Sequence, residues 1–186
     1  KILGFLFGDG FICGKGLGVS VKLDEKKEKE VYDILISCGF HKEINGVLYC
    51  NKDKLSKILN DNFNFLSFRV FDRDIPEDIL LSDVNFLRSF ISGLFEANGS
   101  VSIANQISLK STNKNMVRQV QIILAAFGIQ SWIVKNKATL IHWNNGNYTS
   151  KESYNLQIAP RNSFKFKEKI GFISDRKNNR IKDVNG

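Results

Sequence analysis

Apolar positions along the chain follow two periods in alternation. Val31, Ile34, Leu35 and Cys38 fall at i, i+3, i+4 and i+7, one stripe that predicts an amphipathic helix, and Gly39 stands where a left-handed cap would end it. Val120, Ile123, Leu124 and Phe127 repeat that stripe ahead of Gly128. Before each helix the period drops to two. Val19, Val21 and Leu23 alternate with Ser20 and Lys22, while Val101, Ile103, Ile107 and Leu109 are interleaved with Ser102, Gln106, Ser108 and Lys110, so strands with one apolar and one polar, basic face are expected. After each helix come hairpin signals: Asn45-Gly46 between Ile44 and Val47, and Asn145-Gly146 after the apolar run that ends at Trp143. Further helices are expected over Lys54–Ile58 and Phe164–Ile170.

These elements belong to two copies of one pattern, offset by 89 residues: Ile2 to Gly10 lies over Ile91 to Gly99, and Val31 to Phe40 over Val120 to Ile129. Each copy reads α-β-β-α-β-β-α, the second enlarged around residues 135–152. The expected fold class is α+β, a pseudo-twofold duplication of αββαββα units with two antiparallel sheets. Residues 1–65 form the first repeat, 66–82 a linker and 83–173 the second repeat; the polar, aperiodic tail 174–186 is expected to be peripheral or mobile.

The repeated nonapeptides are apolar on nearly every side, as helices buried within protein are. Gly4 and Gly8, and Gly93 and Ala97, are small residues four apart and share one helix face, which lets two helices approach to roughly 8–10 Å or less. Gly in a helix costs roughly 1 kcal/mol against Ala, so these positions ask for such a packing reason. Packed about a pseudo-twofold axis, the helices bring Asp9 and Asn98 together at their C-terminal ends. A carboxylate beside unpaired helix-end carbonyls is unfavourable unless a cation is present, and hard oxygen ligands suit Mg²⁺ shared with waters and a substrate phosphate. A single apolar helix ending in Asp-Gly is common; two copies in register with downstream helices are not.

Charge strengthens this reading. Of 186 residues 27 are Lys or Arg and 19 Asp or Glu, a net charge of +8 that favours polyanionic partners, nucleic acid foremost. Cys13, Cys38 and Cys50 have no metal-like spacing and are odd in number, which points to a reducing, intracellular setting. No apolar run approaches the roughly 20 residues that span a bilayer, so no membrane partner is expected.

The nonapeptides and the order of elements around them resemble the LAGLIDADG motif and the monomeric, two-repeat members of the homing endonuclease family, over Ile2 to about Phe172. The resemblance implies two saddle-like sheets along the major groove, motif helices at the domain interface through Gly4, Gly8, Gly93 and Ala97, and Mg²⁺-dependent cleavage of a long, asymmetric duplex site. It makes Asp9 a metal-binding acid, with the backbone carbonyls of Gly8 and Ala97 as supplementary ligands. Asn98 departs from the pattern: it keeps an oxygen but loses the charge, so it holds a cation more weakly. It is either an engineered substitution or a natural feature of a copy that nicks, cuts slowly or only binds. Glu96 cannot replace it, since two residues along a helix turn it by roughly 200°.

Candidate base-reading residues are Ser20 and Lys22 in the first copy and Ser102, Gln106, Ser108, Lys110, Ser153, Asn155 and Gln157 in the second. Lys15, Lys135, Lys137, Arg161, Lys165 and Lys167 are suited to phosphates. The family also implies a basic residue near the scissile phosphates; Lys22 and Lys110 occupy matching strand ends, with Lys54 and Lys165 as alternatives. His41 and His142 form no catalytic cluster. A second function class stays open: binding without cleavage, as a DNA-binding remnant or a maturase acting on intron RNA.

Overall fold

The computed structural model describes residues 1–13, 18–24, 26–51, 53–54, 73–143 and 146–183. The first half runs α1 (Ile2–Asp9), β1 (Phe11–Cys13), β2 (Gly18–Lys22), α2 (Lys29–Ser37), β3 (His41–Lys42) and β4 (Val47–Asn51). The short helix α3 (Glu77–Leu80) leads into the second half: α4 (Val84–Asn98), β5 (Gly99–Val101), β6 (Ile107–Ser111), α5 (Lys114–Ala126), β7 (Ser131–Asn136), β8 (Thr139–Trp143), β9 (Gly146–Ser150), β10 (Ser153–Ile158) and α6 (Pro160–Lys169), followed by α7 (Asp175–Asn178). The sheets are antiparallel and have the same order, β1-β2-β4-β3 and β5-β6-β10-β7.

Their registers are equivalent as well. The row Phe11, Ser20, Tyr49, His41 across the first sheet matches Ser100, Ser108, Gln157, Trp132 across the second. Among the described strands the halves differ most in the second hairpin. Ser153 pairs with Asn136 and Ser150 with Thr139, so β8 and β9 continue the β7–β10 hairpin in register after a two-residue break in each arm.

Alternation along the strands builds the core. Val19, Val21, Leu48 and Cys50 are buried on the side that carries Val31 and Leu35 of α2; Ile107, Leu109, Leu156 and Ile158 match them under Val117, Val120 and Leu124 of α5. Both covering helices stop at a glycine in the left-handed region, Gly39 at φ 89 and Gly128 at φ 72, which only a residue without Cβ adopts at little cost. Asp83 and Asn113 accept backbone N–H groups at the starts of α4 and α5.

The motif helices α1 and α4 lie against each other with almost no side chain between their backbones. A Cβ on Gly4 would overlap the Phe90 carbonyl and stand 2.9 Å from the Leu94 nitrogen; on Gly93 it would overlap the Lys1 carbonyl and stand 2.7 Å from the Phe5 nitrogen. Phe90 and Leu94 are Lys1 and Phe5 displaced by 89 residues, so the contact is isologous, as a pseudo-twofold axis requires.

Three expectations are corrected. Ile103 is no strand residue: residues 102–106 form a turn closed by Ser102 N–H to the Gln106 carbonyl, with Asn105 at φ 61, which leaves Ile103 wholly exposed. The segment from Arg73 is more than a connector, because Arg73, Ile75 and Ile79 are buried. Nor is the C-terminal tail peripheral. Ser174 and Ile181 are buried, and Asn105 exchanges hydrogen bonds with Lys182, donating at 2.9 Å and accepting at 3.0 Å. The first repeat's final helix beyond Lys54 and linker residues 66–72 lie outside the described residues.

Candidate active site and nucleic-acid interface

Both motif helices end where the pseudo-twofold axis passes. A Cβ on Gly8 would meet the Ala97 methyl at 2.5 Å and press on the Asn98 carboxamide. Gly10 and Gly99 follow with extended backbones (φ −74, ψ 144 and φ −94, ψ 152), so each helix runs straight into a strand without a left-handed cap. Glycine is needed there for proximity: a Cβ would lie 3.1 Å from the Leu6 or Phe95 carbonyl carbon one turn back. Asp9 is exposed and Asn98 half-buried.

Two cations that the sequence reading did not single out stand at these ends. Arg73 Nη1 donates to the Phe7 carbonyl at 2.7 Å, and Lys177 Nζ donates to the carbonyls of Glu96 and, at 2.9 Å, Gly99. Phe7 and Glu96 are the same position of the two motifs, just before the small residue, so each helix's negative end carries one positive side chain. The segments that bring them also touch equivalent sites on the opposite half: Ile75 N–H donates to Gln119 at 2.8 Å and Asp175 N–H to Glu30 at 3.3 Å, and Glu30 and Gln119 are 89 residues apart. A single Arg or Lys in an aperiodic segment gives no sequence signal; only the repeated crossover shows their equivalence.

The two cations are crossed with respect to the acid positions. Arg73 lines a cleft of about 210 Å³ with Gly8, Asn98, Lys110 and Ser153. Lys177 acts on Asp9. Although Asp9 keeps solvent contact, the protein packed around its carboxylate desolvates it enough to raise its pKa above the ordinary value; the Glu28 charge raises it further, and Lys177 opposes both. The Lys177 ammonium is itself lowered by burial, against the pull of Glu96.

Glu96 is buried at 1% exposure and turned to the C-terminal segment, where it accepts the backbone N–H of Ile173 (2.9 Å) and Ser174 (3.0 Å) and the Ser174 hydroxyl (2.9 Å). Among the described residues no three His, Cys, Asp or Glu side chains come close enough to hold a metal ion. A cation at the motif ends would therefore rely on Asp9, the Asn98 amide oxygen and the Gly8 and Ala97 carbonyls. These are hard oxygen donors that suit Mg²⁺ completed by waters and phosphate.

The strand residues divide. Ser108 and Gln157 share one row of the second sheet's open face with Ser100, and Lys110 and Asn155 pair in the next; the Ser100 and Ser108 hydroxyls are 3.0 Å apart. Ser153 follows on that face but is buried, and Ser102 and Gln106 sit in the turn beyond the strands, where the Ser102 hydroxyl accepts the Gln106 N–H. Lys22 is exposed at the end of β2. Ser20 is corrected: at 3% exposure, between Phe11 and Tyr49 on the same face, it is covered and cannot reach a base.

Of the proposed phosphate contacts, Lys135 is held by Glu152 at 2.8 Å, Arg161 donates to Gln130 at 3.2 Å, Lys137 is exposed and Lys167 half-buried. Lys15 lies outside the described residues. Lys54 and Lys165 are not at the motif ends: their side chains crowd Gly39 and Gly128, at the ends of the covering helices. His41 packs edge-on against Tyr49 at 5.2 Å on an exposed edge.

Paired motif helices, each feeding an antiparallel sheet, define a LAGLIDADG-type fold, and residues 85–171 match the family model of the LAGLIDADG-like domain. The fold is shared with the homing endonuclease I-DmoI, solved in complex with DNA and Mn (TM-score 0.55, 18% identity, 91% of this chain and 93% of that one). It is also shared with full-length DUF199/WhiA from Thermatoga maritima (TM-score 0.57, 17% identity, 97% of this chain and 56% of that one). In sequence the chain is similar to part of a glutamine–fructose-6-phosphate aminotransferase of Methanocaldococcus jannaschii, 26% identical over 99% of this chain and 17% of that protein. It is likewise similar to part of a DNA polymerase of Thermococcus litoralis, 26% identical over 97% of this chain and 11% of that protein. The chain thus spans under a fifth of the curated relatives it matches.

Proposed function

We propose that the chain is a monomeric, two-repeat DNA-binding protein of the LAGLIDADG homing endonuclease class. It lays its two sheets along a long, asymmetric duplex site and hydrolyses phosphodiester bonds slowly with Mg²⁺. The observation that carries this reading is the isologous packing of α1 on α4, which brings the Asp9 end of one helix to the Asn98 end of the other. The known complexes of I-DmoI with DNA and Mn or Ca support it.

Asp9, the Asn98 amide oxygen and the carbonyls of Gly8 and Ala97 would hold the ion, which when bound activates water and stabilises the leaving oxygen. Lys22 and Lys110, at equivalent strand ends, direct positive charge at the backbone; Arg73 in the cleft of Asn98, and Lys177 at the end of α4 with its charge felt at Asp9, add charge where it develops. Asn98 contributes no anion, so its half of the site is the weaker one. The aminotransferase and the polymerase share no activity by name, so the stretch similar to this chain behaves as a module carried within longer proteins, as homing elements inserted in frame are. Its setting is intracellular, with the DNA.

Asn98 also favours a second reading, binding with no cleavage. Selection for binding and for cleavage on a randomised duplex library with Mg²⁺, against folded intron RNA at matched salt, tests both. Enrichment and cutting of a duplex of well over ten base pairs support the proposal; enrichment without cutting supports the second reading over the nuclease, and preference for RNA, or no enrichment, overturns the DNA-binding reading.

A further inference from the structure

The equivalent rows of the two sheets carry different chemistry. Where the second sheet presents Ser100, Ser108 and Gln157, the first presents Phe11, a buried Ser20 and Tyr49; where the second has Lys110 with Asn155, the first has Lys22 with Val47. Gln and Asn amides pair bidentately with adenine in the major groove and Lys with guanine O6 and N7, whereas Phe and Val offer apolar contact, chiefly to a thymine methyl. The Asn155 amide oxygen is buried and has no hydrogen-bond partner in the protein, so it does not face a base as Gln157 does. Tyr49 is flanked by the His41 ring.

Reach differs too. Residues 43–46 join β3 to β4 in the first half, while the hairpin of the second continues through β8 and β9, seven residues beyond Asn136 on the first arm. At roughly 3.3 Å per residue the ribbon projects about 20 Å, close to six base pairs of B-DNA. A two-stranded ribbon fits the major groove. Leu140, paired with Thr149, is exposed along it.

We infer that the halves read unequal half-sites: the second half, through Gln157 and the β8–β9 ribbon, takes the longer and better-discriminated one. The first half holds a short, apolar-tolerant site chiefly through Lys22 and shape. This rests on the proposed duplex-DNA function and adds the distribution of specificity.

The test is a binding selection on randomised duplex, with hydroxyl-radical footprints, for the full chain, Gln157→Ala, Tyr49→Ala and a variant with residues 139–150 replaced by Asn-Gly, each checked for folding by circular dichroism. The expected profile has most of its information on one side. Gln157→Ala flattens preference about tenfold at one or two positions there. The shortened ribbon trims that side of the footprint by about four to six base pairs, and Tyr49→Ala leaves the profile of the long side unchanged. Equal information on both sides, or a footprint that a folded ribbon variant leaves intact, overturns the inference and spares the DNA-binding reading; enrichment of no duplex at all overturns both.

Discussion

Gly4 and Phe90 meet backbone to backbone: a Cβ on the glycine would stand 2.7 Å from the Phe90 carbonyl carbon, and Gly93 repeats the relation with Lys1 at 2.9 Å. No flexible side-chain end is there to give way. Gly4→Ala and Gly93→Ala should each destabilise the fold by about 3 kcal/mol or more by prying the halves apart. Urea unfolding followed by tryptophan fluorescence checks this, with Ile103→Ala, wholly exposed, expected to stay within about 0.5 kcal/mol of the parent.

The C-terminal segment is held by one buried carboxylate. Glu96→Ala leaves the N–H groups of Ile173 and Ser174 without their acceptor and takes the counter-charge from the Lys177 ammonium, and should cost about 3–5 kcal/mol. Ser174→Ala removes one hydroxyl from the same carboxylate and should cost about 1–2 kcal/mol. Equal losses in thermal or urea unfolding would contradict the central place given to Glu96.

Asp9 sets a pH dependence. Its folded pKa lies above the ordinary 3.8, so the ionised form is the disfavoured one and the penalty operates at pH values above the folded pKa. Asp9→Asn should therefore be more stable than the parent at neutral pH, with the gain shrinking as pH falls and vanishing below about the unfolded value near 3.8. Melting temperatures of both proteins from pH 3 to 8 test this. A gap that does not depend on pH would contradict it.

Much of this architecture is legible in the residues. The stripe Val31–Cys38, its copy at Val120–Phe127 and the glycines after them specify the covering helices and their ends, because burial on one face leaves a period of 3.6. The small residues of the motifs predict the close contact of α1 and α4. What stays hidden depends on three-dimensional crossing. Arg73 and Lys177 act at carbonyls 66 and 81 residues away in sequence, with no local pattern to mark them. Ser20 alternates as a solvent-facing residue should, yet Phe11 and Tyr49 cover it, and periodicity does not register neighbours on other strands. The polar tail reads as disordered because its order comes from Glu96, Asn105 and Asn178, not from an apolar stripe of its own.

Asn98 is where the two halves of the site depart from symmetry, and it carries the claim that they form one Mg²⁺-dependent site. The most direct measurement is strand-resolved cleavage of a selected duplex with Mg²⁺ by the present chain, Asn98→Asp and Asp9→Asn. Expected are slow or single-strand cleavage by the present chain, at least about tenfold faster double-strand cleavage by Asn98→Asp, and none above background by Asp9→Asn. Equal cleavage by the present chain and Asn98→Asp, or undiminished cleavage by Asp9→Asn, would contradict it.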